Sequence, residues 1–484
     1  MFLRSRGWLW IATVFQALVQ ALHGQTAASS PTPAPASSAM QPVSEPEEWN
    51  VEAPSLEQRQ SGSETGVGPQ APFEQEPGWP GWLTSPRNNE FELPPEQIPP
   101  NPRAAGLKLS LGPIDIRPAF IFSAMYDDNI EISNTNRKAD LVYTLSPGVF
   151  LGLGDYIQRE FNFISVTYIP TLQLFQHYHS DDALNQHLRL EGQYAFSRLT
   201  LSSYFQYDSL TGPNRDIGGR VTGDSYRAGL YATYLLSDKT SLQITNDVTF
   251  QHYKQQTGYE EFVNHDWFNY QLTPKVNVGL GTAFGALHPD TGGTQPYQQG
   301  LFRIQFASTP KLTFSANAGF EVREFPSTAV SGTPNSGTNS QFSSSGTRVT
   351  PVFGLSANYE FLPGSTFRLS GDRYVTNSSS TNLAGDNFTA TGVSGKLTQH
   401  LIGNYFLGLE SGYENDAYSQ AISATTGQIT QRQDDYFYIQ PSITYHWKDW
   451  GDISVSYERR VNSSNHSNFS FRDNQVWVQF HIGF

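Results

Sequence analysis

Apolar and polar residues alternate one for one along most of the chain beyond residue 113. Ile114, Ile116, Pro118, Phe120, Phe122, Ala124 and Tyr126 form one stripe, and Leu141, Tyr143, Leu145, Pro147, Val149 and Leu151 form the next. The same period returns at Leu188/Leu190/Tyr194/Phe196, Leu242/Ile244/Val248/Phe250, Leu312/Phe314/Ala316/Ala318/Phe320/Val322, Pro351/Phe353/Leu355/Ala357/Tyr359/Phe361 and Ile439/Pro441/Ile443/Tyr445/Trp447. A period of two puts one apolar and one polar face on an extended strand. Eighteen such segments are predicted, near 114–127, 140–153, 161–175, 185–196, 199–208, 225–236, 240–254, 261–272, 275–286, 298–306, 311–323, 347–360, 366–375, 386–397, 404–415, 434–446, 452–460 and 474–484. Merging would lower the count to sixteen. Most are long for a soluble sheet and suit tilted strands that cross a bilayer.

The connections have two characters. Ser197-Arg198, "LSDKT", "LTPKV", "STP", "LPGS" and "HWKDWG" are tight, whereas 128–139, 209–224, 287–297, 323–346, 416–433 and 461–473 are long and polar. Short inner turns alternating with long outer loops mark a transmembrane barrel. One hairpin can be checked for phase. If Ser197 and Arg198 form a two-residue turn, Phe196 faces Leu199, Glu191 opposes Tyr204 and Arg189 opposes Gln206, so polar meets polar on both strands.

The final segment, "QVWVQFHIGF" (475–484), is itself a patterned strand. A sheet avoids a free edge by closing on itself, so this strand is expected to pair with Ile114–Asp127. Val478, Phe480, Ile482 and Phe484 also resemble the C-terminal signal read by the bacterial barrel-assembly machinery. The fold class is therefore all-β: a transmembrane antiparallel barrel of about eighteen strands, preceded by a disordered N-terminal tether.

Composition refines this picture at the N-terminal side. Arg4 and Arg6 precede an apolar stretch over residues 7–22, followed by Gly24, Ala27 and Ala28. That order reads as a secretory signal peptide over 1–28, with an uncleaved anchor as the alternative. Residues 29–105 hold 16 of the 30 prolines and 11 glutamates against three arginines. Such a segment cannot repay its ordering entropy and reads as a disordered periplasmic tether. The barrel is assigned to 106–484. There is no cysteine, which excludes disulfides and thiolate metal sites. The net charge is −14, of which the tether carries −8, and nothing points to a nucleic-acid partner.

With apolar stripes toward lipid, the intervening residues face the lumen. Pore-lining positions are predicted at Asp115, Arg117, Arg189, Glu191, Arg227, Asp247, Arg303, Glu321, Arg323, Glu360, Arg368, Glu410, Glu458 and Arg460. Charge of both signs there reads either as a field across an aqueous pore or as bracing of the wall. Tyr126, Tyr194, Tyr234, Tyr359, Tyr413, Tyr445 and Trp447 end stripes, as interfacial aromatic girdles do. Tyr204, Tyr231, Tyr374 and Tyr438 are expected to point inward. "QHYHSDD" (His177, His179, Asp181, Asp182) has residue types for a rim hydrolase or a divalent metal, but an ordinary polar loop is the better reading. Tyr126–Asn129 looks like the start of a calcium loop, yet no spaced acidic ligands follow it. No catalytic residue, metal site or cofactor is assigned.

"RPAFIFSAMYDDNI" (117–130) and "ADLVYTLSPGVFLGL" (139–153) resemble the opening of the predicted β-barrel porins associated with exopolysaccharide export. The matching positions are Tyr126, Asp127, Asn129, Ser146, Pro147 and Gly148. The resemblance implies an outer-membrane barrel, and polysaccharide or polysaccharide-export proteins as partners beside lipid and the assembly machinery. The function expected is a bacterial outer-membrane pore for passive solute permeation or polysaccharide export. The rivals are a plugged structural or adhesive barrel and a barrel hydrolase.

Overall fold

The computed structural model describes residues 109–156, 161–290, 293–325, 346–380, 387–418, 421–422, 429–448 and 450–483. The signal and tether assignments, and Phe484 of the assembly signal, lie outside the described residues. The strands of the barrel are β1 (Ile114–Asp127), β2 (Asp140–Gly154), β3 (Phe163–Phe175), β4 (Ala183–Ala195), β5 (Leu199–Asn214) and β6 (Gly219–Ser237). They continue as β7 (Thr240–Tyr253), β8 (Tyr259–Thr273), β9 (Val276–Pro289), β10 (Gln295–Thr309), β11 (Leu312–Phe325) and β12 (Gly346–Leu362). The last six are β13 (Ser365–Asn377), β14 (Asn387–His400), β15 (Tyr405–Tyr418), β16 (Gln433–Lys448), β17 (Gly451–Ser464) and β18 (Phe471–Gly483). Each strand pairs antiparallel with its neighbours in sequence, and β18 pairs with β1 through Phe120–Ile482, Phe122–Phe480 and Ala124–Val478. The sheet is thus a closed ring of eighteen strands. The expected seam forms, and closure satisfies the backbone groups that lipid cannot.

The Ser197-Arg198 hairpin has the predicted register: Glu191 opposes Tyr204, Arg189 opposes Gln206, and the Phe196 amide donates to the Leu199 carbonyl at 2.8 Å. Phase also decides what faces outward. Leu280 (65% exposed), Phe320 (61%), Phe268, Phe302, Ile443 and Val478 cover the outside. Among soluble proteins an apolar surface this continuous is rare; on a closed barrel it is the lipid belt.

Two-residue turns such as 238–239, 274–275, 310–311 and 363–364 lie at one end of the barrel, and the long connections lie at the other. One expectation needs correction. Residues 209–224 do not form a loop. β5 and β6 run on in register from Leu199–Tyr234 to Asn214–Gly219. Their far ends outrun both neighbours, because β4–β5 pairing stops at Gln186–Ser209 and β6–β7 pairing begins only at Gly223–Tyr253. A two-stranded ribbon freed from the wall can bend, and this one does.

Buried apolar side chains form small clusters inside the ring rather than one core. Trp267, Leu301 and Val352 make one cluster on β8, β10 and β12. Gly281 on β9 permits it: a Cβ there would meet the Trp267 ring at 2.5 Å.

Candidate functional site

The lumen is the candidate site. Strand register puts the fourteen predicted pore-lining positions on the face of the sheet opposite the exposed apolar stripes, mostly against polar or small partners, with Phe150 across from Arg117 and Val263 across from Asp247. Their surroundings differ with height. Near the short-turn end Glu360 and Arg368 are exposed, and a recess of about 370 Å³ opens beside them and Lys396. Lys396 stands 3.5 Å from Glu410. Further along, Arg189 donates to Glu191 at 2.6 Å and to Gln206 at 2.7 Å, and its guanidinium lies over the Tyr204 ring. Tyr204 and Tyr231 stack at 5.8 Å and both donate to Asp247 Oδ1. Arg303 spans Asn269 and Gln243 and covers Trp267. Glu321 and Arg323 pair at 2.7 Å, both nearly fully buried. They line a cavity of about 70 Å³ with Asp247, Glu261, Tyr297 and Tyr374. Asp115 and Arg117 are tied through the Tyr156 hydroxyl. Arg460 pairs with Asp473 on the next strand, and Glu458 opposes Gln475.

The long-loop end is crossed by the β5–β6 ribbon. Its tip is built on Asn214, whose carbonyl accepts from the Gly218 amide at 2.9 Å and whose side chain accepts from the Ile217 amide. Gly218 takes φ +76°, where only glycine is unstrained. From this turn Arg215 reaches β15, half-way round the ring, and donates to Glu414 at 2.6 Å while lying over the Tyr436 ring. Asp216 accepts from Ser378 Oγ at 2.8 Å and from the Ser379 amide at 2.6 Å, at the end of β13. Arg432 is the hub. It donates to Asp434, to the Asp216 carbonyl at 2.7 Å and to the Arg215 carbonyl, and sits between the Tyr418 and Phe469 rings. Burial disfavours its charge, yet Tyr418, Asp434 and Asp216 hold it above its ordinary value. Burial also pushes the Asp216 carboxyl up; Arg432, Ser378 and Ser379 pull it back only in part. In so dry a network the charges depend on one another for the solvation they have lost.

The inward aromatics foreseen in the sequence (Tyr204, Tyr231, Tyr374 and Tyr438) fall on the lumen face. The Arg215–Asp216–Arg432 latch was not foreseen. Its only local sign is a Gly- and Asn-bearing turn, "PNRDIGG", inside a polar run. In the His177 loop, His177 Nδ1 lies 2.8 Å from Asp140 and His179 Nδ1 lies 3.8 Å from Asp182, while Asp182 caps the Phe175 amide. Its acids hold the loop together. The family-like positions are structural in the same sense. Asp127 accepts from the Asn129 amide; fully buried Asn129 bonds Ser133 and the Arg472 carbonyl; Ser146 bonds Thr171 at 2.9 Å. Tyr126 faces outward, and β2–β3 pairing lapses between Leu145 and Val149, around Pro147 and Gly148.

No protein-family model matches the sequence, and no curated protein matches it. Similar solved structures include OccAB4 of Acinetobacter baumannii (12% identity, 77% of this chain and 99% of that chain, TM-score 0.40). The outer membrane protein opdK of Pseudomonas aeruginosa is similar at 10% identity over 76% of this chain and 99% of that one, TM-score 0.39. The ferric citrate transporter FecA is similar at 10% identity over 78% and 80%, TM-score 0.41. Likeness of this order carries no argument about solutes. The architecture itself is a closed, even-stranded antiparallel barrel with a lipid belt, the form that bacterial outer-membrane barrels take.

Proposed function

We propose that the protein is a passive outer-membrane channel for small polar solutes. One observation carries the reading: an apolar outside and a charged inside on a ring of eighteen strands, a size at which barrels enclose water. Charge of both signs along the wall gives ions and zwitterions successive partners without a deep trap. No observation on the described residues favours a polysaccharide conduit, since the long-loop mouth is crossed by the β5–β6 ribbon. That same ribbon favours one second reading, a plugged structural barrel.

Single-channel recording in planar bilayers separates the two. A channel gives discrete ohmic steps from the purified protein. A barrel that inserts, shown by heat-modifiable gel migration, yet conducts nothing even after Arg215→Gln and Arg432→Gln loosen the ribbon, is a plugged barrel.

A further inference from the structure

Where β1 meets β18, at the long-loop end of the seam, three carboxylates converge. Asp127 ends β1, Asp128 follows it, and Asp473 stands on β18; one oxygen of each lies within 4.8 Å of the others. Among the described residues no other three acidic, histidine or cysteine side chains come that close. Like charges at such spacing repel unless something positive lies among them. The protein's own donors are few. Arg460 Nε donates to Asp473 Oδ2 at 2.9 Å, and Gln475 Nε2 donates to the same oxygen and to Asp127 Oδ2. The Asn129 amide donates to Asp127 Oδ1, and Asn474 donates twice to Asp128. One bonded guanidinium does not balance three carboxylates.

A second observation is independent of that proximity. Asp473 has no exposed surface, and its Oδ1 has no hydrogen-bond partner, although Oδ2 beside it gathers donors. A buried carboxylate oxygen left without a donor is costly and rare. The missing partner has a definable chemistry. The donors are all oxygens, with no imidazole or thiolate, as hard dications require. Calcium's flexible shell, with bonds of about 2.3–2.6 Å, accepts carboxylates from three separate chain positions, whereas magnesium demands near-ideal octahedral geometry and usually keeps several waters.

We propose that Asp127, Asp128 and Asp473 bind a calcium ion that staples the first barrel strand to the last. The ion supplies the acidic spacing that the local Tyr126–Asn129 stretch lacks, because the third ligand arrives from the far end of the chain. With few ligands and a neighbouring arginine, the affinity belongs to the weak extracellular range of about 10⁻⁴–10⁻³ M. The proposal does not depend on conduction.

The test uses the full-length barrel in detergent, stripped with EGTA. The midpoint of the heat-induced gel shift is followed as CaCl₂ is added at neutral pH, against MgCl₂ and KCl at matched ionic strength. The expected result is a saturable rise of about 2 °C or more with calcium, less with magnesium and none with potassium. Asp128→Asn, which keeps an acceptor for the Asn474 amide, is expected to fold and to lose the calcium response. Calorimetric titration of calcium into the stripped wild type, expected to show one site, supports the assignment even if that variant misfolds. A wild-type midpoint indifferent to calcium, no calorimetric site, or an Asp128→Asn response equal to wild type overturns it; the first two leave a shared proton as what holds the cluster.

Discussion

Two ion pairs on the same inner wall have opposite fates. At the short-turn end Lys396 and Glu410 stand 3.5 Å apart with 46% and 35% of their side chains exposed. At the long-loop end Arg432 and Asp434 are in contact with 0% and 2% exposed. The residue types are equivalent; what differs is water. In the wet recess each charge keeps its hydration, so the pair contributes little and either group is available to a passing ion. In the dry mouth the charges have lost their hydration and must be satisfied by protein, so each becomes a fixed structural part. Arg432 accordingly meets Asp434, two backbone carbonyls and two aromatic rings, and the ribbon from the opposite wall is part of its solvation.

The largest effect is therefore expected from Arg432→Leu. It leaves Asp434 and Asp216 buried without their cation, a loss of roughly 3–5 kcal/mol for a broken buried pair. Part of that cost can be relieved by releasing the ribbon, so single-channel steps are expected to grow while the unfolding midpoint in denaturant falls. Unchanged conductance with an unchanged midpoint would break the contrast, since it would mean that the mouth tolerates an unpaired charge as the recess does.

The division between the two ends also explains what the sequence could and could not display. Strand number, stripe direction and the Glu191–Tyr204 register were legible because one face of each strand meets lipid and the other meets water, which writes a period of two. Residues 210–222 run beyond both neighbouring strands of the wall. Their strand character comes from pairing with each other, so the alternation fades and they read as a loop. The latch was hidden for another reason. Arg215, Ser378, Glu414 and Arg432 are brought together only by closure of the ring, and no local spacing marks them. Asp473 is the same case: Asn474 beside it bonds Asp128 across nearly the whole barrel chain. Ile132 shows a further limit. It is a β-branched residue at φ +47°, held there by Tyr436 and Phe471, and propensity argues against it.

A smaller effect is expected from pH, and its sign is informative. Burial in the closed mouth raises the Asp216 carboxyl above its ordinary value, while a released ribbon returns it to water. A carboxyl whose value is higher in the closed state binds its proton more tightly there. Its contribution to closure is complete below the solvated value of about 3.9 and is lost as pH rises through the closed-state value. Acidification is therefore expected to close the mouth, lowering open probability. Asp216→Asn, which keeps an acceptor for the Ser379 amide, is expected to flatten that dependence. Channels that open on acidification in both proteins would show that the Arg215 and Arg432 ion pairs, not the desolvation of Asp216, govern the latch.

The smallest effect is expected at the wet end, and it sharpens the comparison from the other side. Lys396→Met removes a charge of the same sign as Arg432→Leu does, on the same face of the wall, and leaves Glu410 with Tyr438 as a hydrogen-bond donor. Because Glu410 keeps its water, the unfolding free energy should move by less than about 0.5 kcal/mol. The charge itself still faces the lumen. Reversal potentials in a salt gradient should shift modestly toward cations, most clearly at low ionic strength, where screening is weakest. If Lys396→Met instead destabilised the barrel as strongly as Arg432→Leu, hydration would not be what separates the two ends. A stability unchanged together with a shifted reversal potential is the combination that an open, aqueous recess requires and a sealed one forbids.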